Sequence, residues 1–405
     1  MMTAKNNTSR LSGKVQHYQW GGFDYIPRLL GADNSTGKPF AEYWLGAHDN
    51  APAQLESGHK LNEFIQQQPS VLGEKALRQF GRLPYLLKIL DVKDMLSIQV
   101  HPNKAAALDA FAQENAAGIP LTAPHRNYKD DNHKPELMVA LGEFWLLHGF
   151  RNPELLQATV SAVPEFAFML PLFDKKGYKG LYEHLMTMEQ EKVNTVLQPL
   201  LDRVVPAYQS GNLPKGDPGF WAARAALTYN EPGKTDRGIF SIYLLNLVNL
   251  QKGEAVFQDA GILHAYLEGQ NVEIMANSDN VLRGGLTPKH IDVPELMKHV
   301  IFEAVNPNII HGKPLNDTEA VFVTPAPDFE LSRLLLASGK IYSTTIGGTD
   351  IFFVLGGMAE VNSGGDVLML NQGDAFVAFN NATLEFWTAS GAEIYHAGVP
   401  AGNHG

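Results

Sequence analysis

The stretch Leu96-Ser97-Ile98-Gln99-Val100-His101-Pro102 decides how the chain is read. Side chains on a β-strand alternate between two faces. Leu96, Ile98 and Val100 then pack on one face, and Ser97, Gln99 and His101 form a polar row on the other. Pro102 cannot donate to a ladder, so the strand ends there or lies at an edge. A polar row turned into a barrel builds a site. The same row turned to solvent is an ordinary antiparallel edge.

Working outward, residues 41–46 read as a strand leading into the polar loop His48-Asp49-Asn50. Residues 61–68 read as a short helix. Residues 83–91 read as a strand in which Lys88 interrupts an apolar run. Asn103 is placed to cap a helix beginning at Lys104. From Pro153 to Asn230 the apolar spacing changes to three and four residues, which predicts a helical segment. Strand signals return near Ile242. Residues 244–250 and 254–258 read as a hairpin across Gln251-Lys252-Gly253, and residues 262–267 and 272–275 as a second across Glu268-Gly269-Gln270-Asn271. A Gly-rich loop to Gly285 follows, then a helix near residues 293–300. From Ala320 onward short strands recur with Gly-rich turns, as in a sandwich or barrel. Gly373-Asp374-Ala375 echoes Gly253-Glu254-Ala255 in its place within a hairpin, which points to two related barrels. The chain is therefore predicted to be mainly β with a helical insert.

The 405 residues suffice for two or three domains. Hydrophobic residues make up 44% and charged residues 19%, an ordinary globular balance. There are no cysteines, which excludes disulfides, Cys-ligated zinc, iron–sulfur clusters and thiol catalysis. The stretch Met1 to Arg10 is polar, without a signal-peptide core, and no segment approaches the ~18 apolar residues of a membrane helix. A cytoplasmic protein with no membrane partner is expected. With 32 Lys+Arg against 43 Asp+Glu, the net charge of −11 argues against nucleic acid as a partner. An anionic substrate would need local cations to hold it against this field.

Three separated stretches offer metal-ligand side chains: Gln99 and His101 two apart on one strand face, Glu136 in His133-Lys134-Pro135-Glu136, and His264 in Gly261-Ile262-Leu263-His264. Such nitrogen and oxygen donors suit zinc or another divalent first-row metal with an open position. Spacing alone does not select these four from the 14 histidines and 43 acids. Lys134, on the same strand face as Glu136, and the adjacent His133 are acid/base candidates. Lys88 needs an anionic partner if it stays charged inside an apolar run. Asp279 and Arg283 lie in the Gly-rich loop, where a fork-shaped guanidinium suits an oxyanion or phosphate. A snorkelling Lys88 and a solvated Arg283 are the plainer readings.

Several runs resemble the signatures of the type I mannose-6-phosphate isomerases: residues 97–102, residues 132–136, the long run from Gly261 to Lys289, Tyr18-Gln19-Trp20-Gly21-Gly22, and residues 41–46. They follow the family's order and span about residues 15–300. The resemblance implies two cupin-type jelly-roll barrels and an α-helical domain. It places the catalytic cupin at residues 1–152 and 238–312, the helical domain at 153–237, and a degenerate cupin at 313–405. That last part holds only His396 and His404 as histidines.

The resemblance further implies one Zn²⁺ per chain, held by Gln99, His101, Glu136 and His264. The implied reaction interconverts D-mannose 6-phosphate and D-fructose 6-phosphate through a cis-enediol. Lys134 and His133 are then the candidates for proton handling, with Asp279 relaying the proton or orienting the sugar. Arg283, Lys88 and Ser97 share the holding of phosphate or enediolate oxygen. A monomer is expected. One departure is Asp259-Ala260-Gly261-Ile262 before His264, where the family pattern implies a more polar lead-in at the pocket rim. The competing readings are another metal-dependent cupin enzyme, such as a dioxygenase or different sugar isomerase, and a non-catalytic sugar-binding cupin. An Fe(II) oxygenase would favour two histidines and one carboxylate, and Gln99 fits that set poorly.

Overall fold

One strand, His264–Ala276, organises the first half of the molecule. In the computed structural model, which describes residues 7–400, this strand belongs to two layers. Its first part pairs with Ile98–Val100 and Phe144–Phe150. Its second part pairs with Tyr85–Val92 and Glu136–Ala140. The partners change at a register shift after Tyr266 and at Gly269, whose φ of +130° suits glycine alone. Residues 268–271 are therefore a bend within one strand and not the hairpin turn read from sequence. Polar, glycine-containing chemistry marks a bulge as readily as a turn.

The other predicted hairpin is also corrected. Leu245–Leu250 pairs with Phe144–Phe150, whereas Glu254–Gln258 pairs with Glu136–Ala140. The turn at Gly253 carries the chain from one layer to the other. Just before Leu245, Gly238–Leu244 is a short helix with every residue buried. An apolar run with no polar face gives periodicity nothing to distinguish. Met138 and Val256 of one layer pack with Leu146 and Tyr266 of the other in one interior cluster.

The helical segment forms as expected, as Pro153–Ser161, Met169–Thr187, Gln190–Gln209 and Pro218–Tyr229. Asn152 and Asp217 cap the first and last of these through their side chains, and a proline follows each cap. Val193, Val196, Leu197, Leu200 and Leu201 supply the buried stripe of the third. This stripe shares a core with Val100, Leu147 and Phe150 of the β framework. The helices therefore back the strand that carries Gln99.

The second sheet is built from the carboxy-terminal strands, but it borrows from the amino terminus. Thr8–Ser12 pairs with Ala375–Ala378 and with Gln54–Leu55. The domain division expected from the resemblance groups these residues with the first domain. Leu11 of this strand is buried in the core that both sheets share. Asp350–Ser363 is one strand with a register shift at Val354/Gly356. The two sheets meet face to face. Leu45, Leu87, Val139 and Ile274 pack in one core with Leu331, Ile351, Phe353 and Val377. Tyr85 Oη donates to the carbonyls of Thr349 and Ala397 across that junction, 2.9 Å each. Among the described residues no helix is long and apolar enough to cross a membrane. Residues 1–6 of the polar amino terminus and His404 lie outside the described residues.

Candidate active site

Three strands aim three donors at one point. His101 follows Ile98–Val100, Glu136 opens Glu136–Ala140, and His264 opens the long strand. One ligand atom from each lies within 4.8 Å of the others. His101 Nε2 is 3.5 Å from Glu136 Oε1, and His264 Nε2 is 3.5 Å from Glu136 Oε2. All three side chains are buried. The Nδ1–H of His101 donates to the Asn280 carbonyl at 2.8 Å, and that of His264 to the Ile262 carbonyl at 2.9 Å. A carbonyl only accepts, so each Nε2 turns its lone pair toward the shared point. Lys134 Nζ donates to Glu136 Oε1 at 2.6 Å. His101 Nε2, His264 Nε2 and Glu136 Oε2 have no hydrogen-bond partner among the described residues. Three orphaned, buried electron-pair donors of this kind fit a divalent cation. Burial pushes the His101 imidazole down to about 4, the charge of Lys134 adding to it, so it stays neutral as a ligand must.

Gln99 stands one strand from His264, directly opposite it and opposite Arg283. Residues opposite one another share a face, and the Gln99 side chain lines a cavity of about 790 Å³. The same cavity is lined by Lys88, Ser97, Lys134, Glu136, Asp279 and Arg283. The polar row read from sequence therefore turns inward. His133 does not belong to this set. Its side chain points the opposite way from Lys134, and its Nε2 lies 2.9 Å from Asp328 Oδ2 of the carboxy-terminal half. Residues 259–261 are not at this rim either. They line a separate groove with Asn103, Glu295 and His299.

Lys88 has found its anions. Its Nζ is 3.1 Å from Glu273 Oε1 and 3.6 Å from Glu42 Oε2, above the Trp44 ring. Burial alone would lower the Lys88 pKa, but Glu42, Glu273 and Glu136 outweigh it and raise it. Lys88 is therefore a held cation and not a base. Tyr266 Oη donates to Glu273 Oε2 at 2.7 Å, and Trp44 Nε1 donates to Glu42. Burial would raise the Asp279 carboxyl. The His48 hydrogen bond and the charges of His48, Lys134 and Lys88 hold it below the ordinary range instead. Asn50 Nδ2 also donates to Asp279 Oδ2 at 3.0 Å. Arg283 and Lys289 line the cavity with no side-chain hydrogen bond or ion pair among the described residues. Glu42, Glu273, Tyr266 and Lys289 do not stand out in the sequence reading. Glu273 carries the signal that singles out Lys88, one charge inside the apolar run 272–276.

The sequence and fold that carry this triad match known proteins. Residues 8–153 match the family model "Phosphomannose isomerase type I, catalytic domain". The mannose-6-phosphate isomerase of Escherichia coli K12 is 39% identical over 388 residues, covering 93% of this chain and 96% of that protein. The Salmonella typhimurium enzyme is 37% identical over 403 residues, covering 96% of this chain and 99% of that protein. The chain belongs to the type I mannose-6-phosphate isomerase family. A crystal structure of the Salmonella typhimurium isomerase bound to substrate and zinc superposes with a TM-score of 0.85, at 34% identity, covering 97% of this chain and 100% of that one. A zinc-bound holo mannose 6-phosphate isomerase superposes at 0.86, with 33% identity and the same coverage.

Proposed function

We propose that this chain is a zinc-dependent isomerase interconverting D-mannose 6-phosphate and D-fructose 6-phosphate. The observation that carries the reading is the convergence of His101, Glu136 and His264 beside a cavity lined by Arg283 and Lys289. Gln99 completes the donor set as a neutral fourth ligand. A bound zinc ion supplies Lewis acidity and orientation to the sugar oxygens at C1 and C2.

The rest falls to the protein's own residues. A base must take a proton from one carbon and return it to its neighbour through a cis-enediol. Lys134 is assigned this role as the free amine, since its Nζ reaches the cavity beside Glu136; the ammonium that donates to Glu136 first releases a proton to solvent. His133, turned toward Asp328, is not. Asp279, fixed by His48 and Asn50, orients a sugar hydroxyl as an acceptor. Arg283 and Lys289 receive the phosphate, with Ser97 as a further donor on the same wall. Lys88 is held between two glutamates and contributes positive potential near the developing oxyanion.

The finer architecture is read the same way. Each half is a cupin-type barrel, and residues 153–237 form the helical domain. The turns at Gly253 (φ +86°) and Gly373 (φ +88°) support this duplication. In both, the next residue's carboxylate accepts the backbone N–H three residues earlier, from Gln251 and from Asn371, at 2.8 Å.

The test compares phosphorylated and free mannose as substrates of the wild type and Arg283→Ala. Turnover confined to the phosphate ester, with KM rising about 10-fold or more in the variant, is expected. Equal turnover of free mannose would sink the phosphate-binding assignment.

A further inference from the structure

Two buried polar side chains stand on the metal-binding rung of the barrel and have no assigned task. The interior of the first half is layered. One rung is apolar: Val256 faces Met138 across one ladder, and Leu146 faces Tyr266 across the other. Two residues further along each strand the rung is polar. There Gln258 faces Glu136, and His148 faces His264. Residues opposite one another share a face, and so do residues two apart on one strand. Gln258 and His148 are therefore turned inward beside two of the metal donors. Gln258 is 0% exposed and His148 5% exposed. Neither amide atom of Gln258 and neither ring nitrogen of His148 has a hydrogen-bond partner among the described residues. Neither residue lines the substrate cavity. The position demands no polarity for packing, because a leucine fills either volume at no desolvation cost.

The unused groups complement one another. A neutral imidazole has one N–H and one acceptor, and a primary amide has two N–H groups and an acceptor oxygen. Glu136 Oε2 keeps a second lone pair beyond the one turned toward the donors' shared point. We propose that His148 and Gln258 are positioning residues of the metal centre, joined to Glu136 in the order His148 N–H to Gln258 Oε1 and Gln258 Nε2–H to Glu136 Oε2. A side-chain rotation or one ordered water closes each link. The chain of hydrogen bonds fixes the carboxylate in its ligating orientation. It thereby sets how tightly the protein holds its ion. The inference rests on the metal-site reading above.

The test strips the full-length protein of metal and measures Zn²⁺ affinity by competition with a chelator. It also measures the melting temperature of the stripped protein. Gln258→Leu and His148→Leu are each expected to weaken zinc binding about 10- to 100-fold. The melting temperature of the stripped protein should stay the same or rise. The double variant should bind zinc no worse than either single one, since one hydrogen-bond chain is broken once. His148→Asn, which keeps a donor for Gln258, should return to within about threefold of the wild type. Unchanged affinity in both single variants overturns the inference while the metal site stands. So does a weakening that comes with an equal loss of stability in the stripped protein, which is a packing effect. A wild type that takes up no zinc overturns the metal reading itself, and this inference with it.

Discussion

Lys134 and His133 are inseparable as candidates on sequence, and a single geometric fact parts them. Neighbours on an extended segment point to opposite sides, so the residue that reaches Glu136 excludes the one beside it. Lys134→Ala is expected to lower kcat by at least about 100-fold, with zinc content unchanged. Full activity at normal zinc content would remove Lys134 from the proton transfer. At this scale the sequence is most legible where a charge interrupts an apolar run. Lys88 requires an anion by desolvation alone, and the structure supplies two. Glu42 escapes notice because its strand is short and its neighbours are aromatic. Lys289 escapes because a lysine beside a proline in a polar loop is ordinary until the cavity around it is seen.

Elements are legible where periodicity or capping chemistry is strong. The helix capped by Asn103 begins at Lys104, where that side chain predicts. The strand-to-strand connections are not. A turn signature gives a change of direction but not which strand is paired next, so the hairpin predicted across Gly253 fails, and the one predicted across Gly269 fails because those residues bend a single strand. The bend at Gly269 shows what is at stake, because it aims His264 inward while residues 269–276 continue in the other layer. A Cβ at Gly269 would meet Phe144 Cδ2 at 2.6 Å and the Glu143 carbonyl at 2.7 Å. Gly269→Ala is expected to cost about 2 to 4 kcal/mol in denaturant unfolding. It should also weaken zinc binding, since the bend and His264 share a strand. An unaltered midpoint with unaltered zinc affinity would show that the corner tolerates a side chain.

Across the whole molecule the two halves run in step. Glu273 faces Lys88 as His396 faces Ser332, and Glu42 faces Leu90 as Glu319 faces Leu334. Counted this way, Glu42, Glu136 and Glu273 correspond to Glu319, Asp350 and His396. The second half thus keeps a polar cluster where the first has its site, but closes it on itself. His396 Nε2 is 2.8 Å from Asp350 Oδ2, and its Nδ1 is 3.4 Å from Glu319 Oε1. Burial alone would lower the His396 pKa, yet Asp350 and Glu319 raise it from 6.5 to about 9. A raised imidazole contributes stability that is complete below its unfolded pKa and lost as pH rises through the folded one. Between about pH 6 and pH 10 the unfolding free energy should therefore fall by roughly 1 to 3 kcal/mol more in the wild type than in His396→Gln. Parallel pH profiles would contradict the ion pair. This correspondence is visible in the sequence only as the repeated Gly-acid-Ala turn. Pairing registers are long-range facts that no local stretch records.

The most direct measurement is isomerase activity on mannose 6-phosphate with metal analysis of the same sample, before and after chelation. One zinc per chain, activity lost on its removal and recovered on its return is the expected result. Full activity in a sample stripped of zinc would contradict the role given to His101, Glu136 and His264.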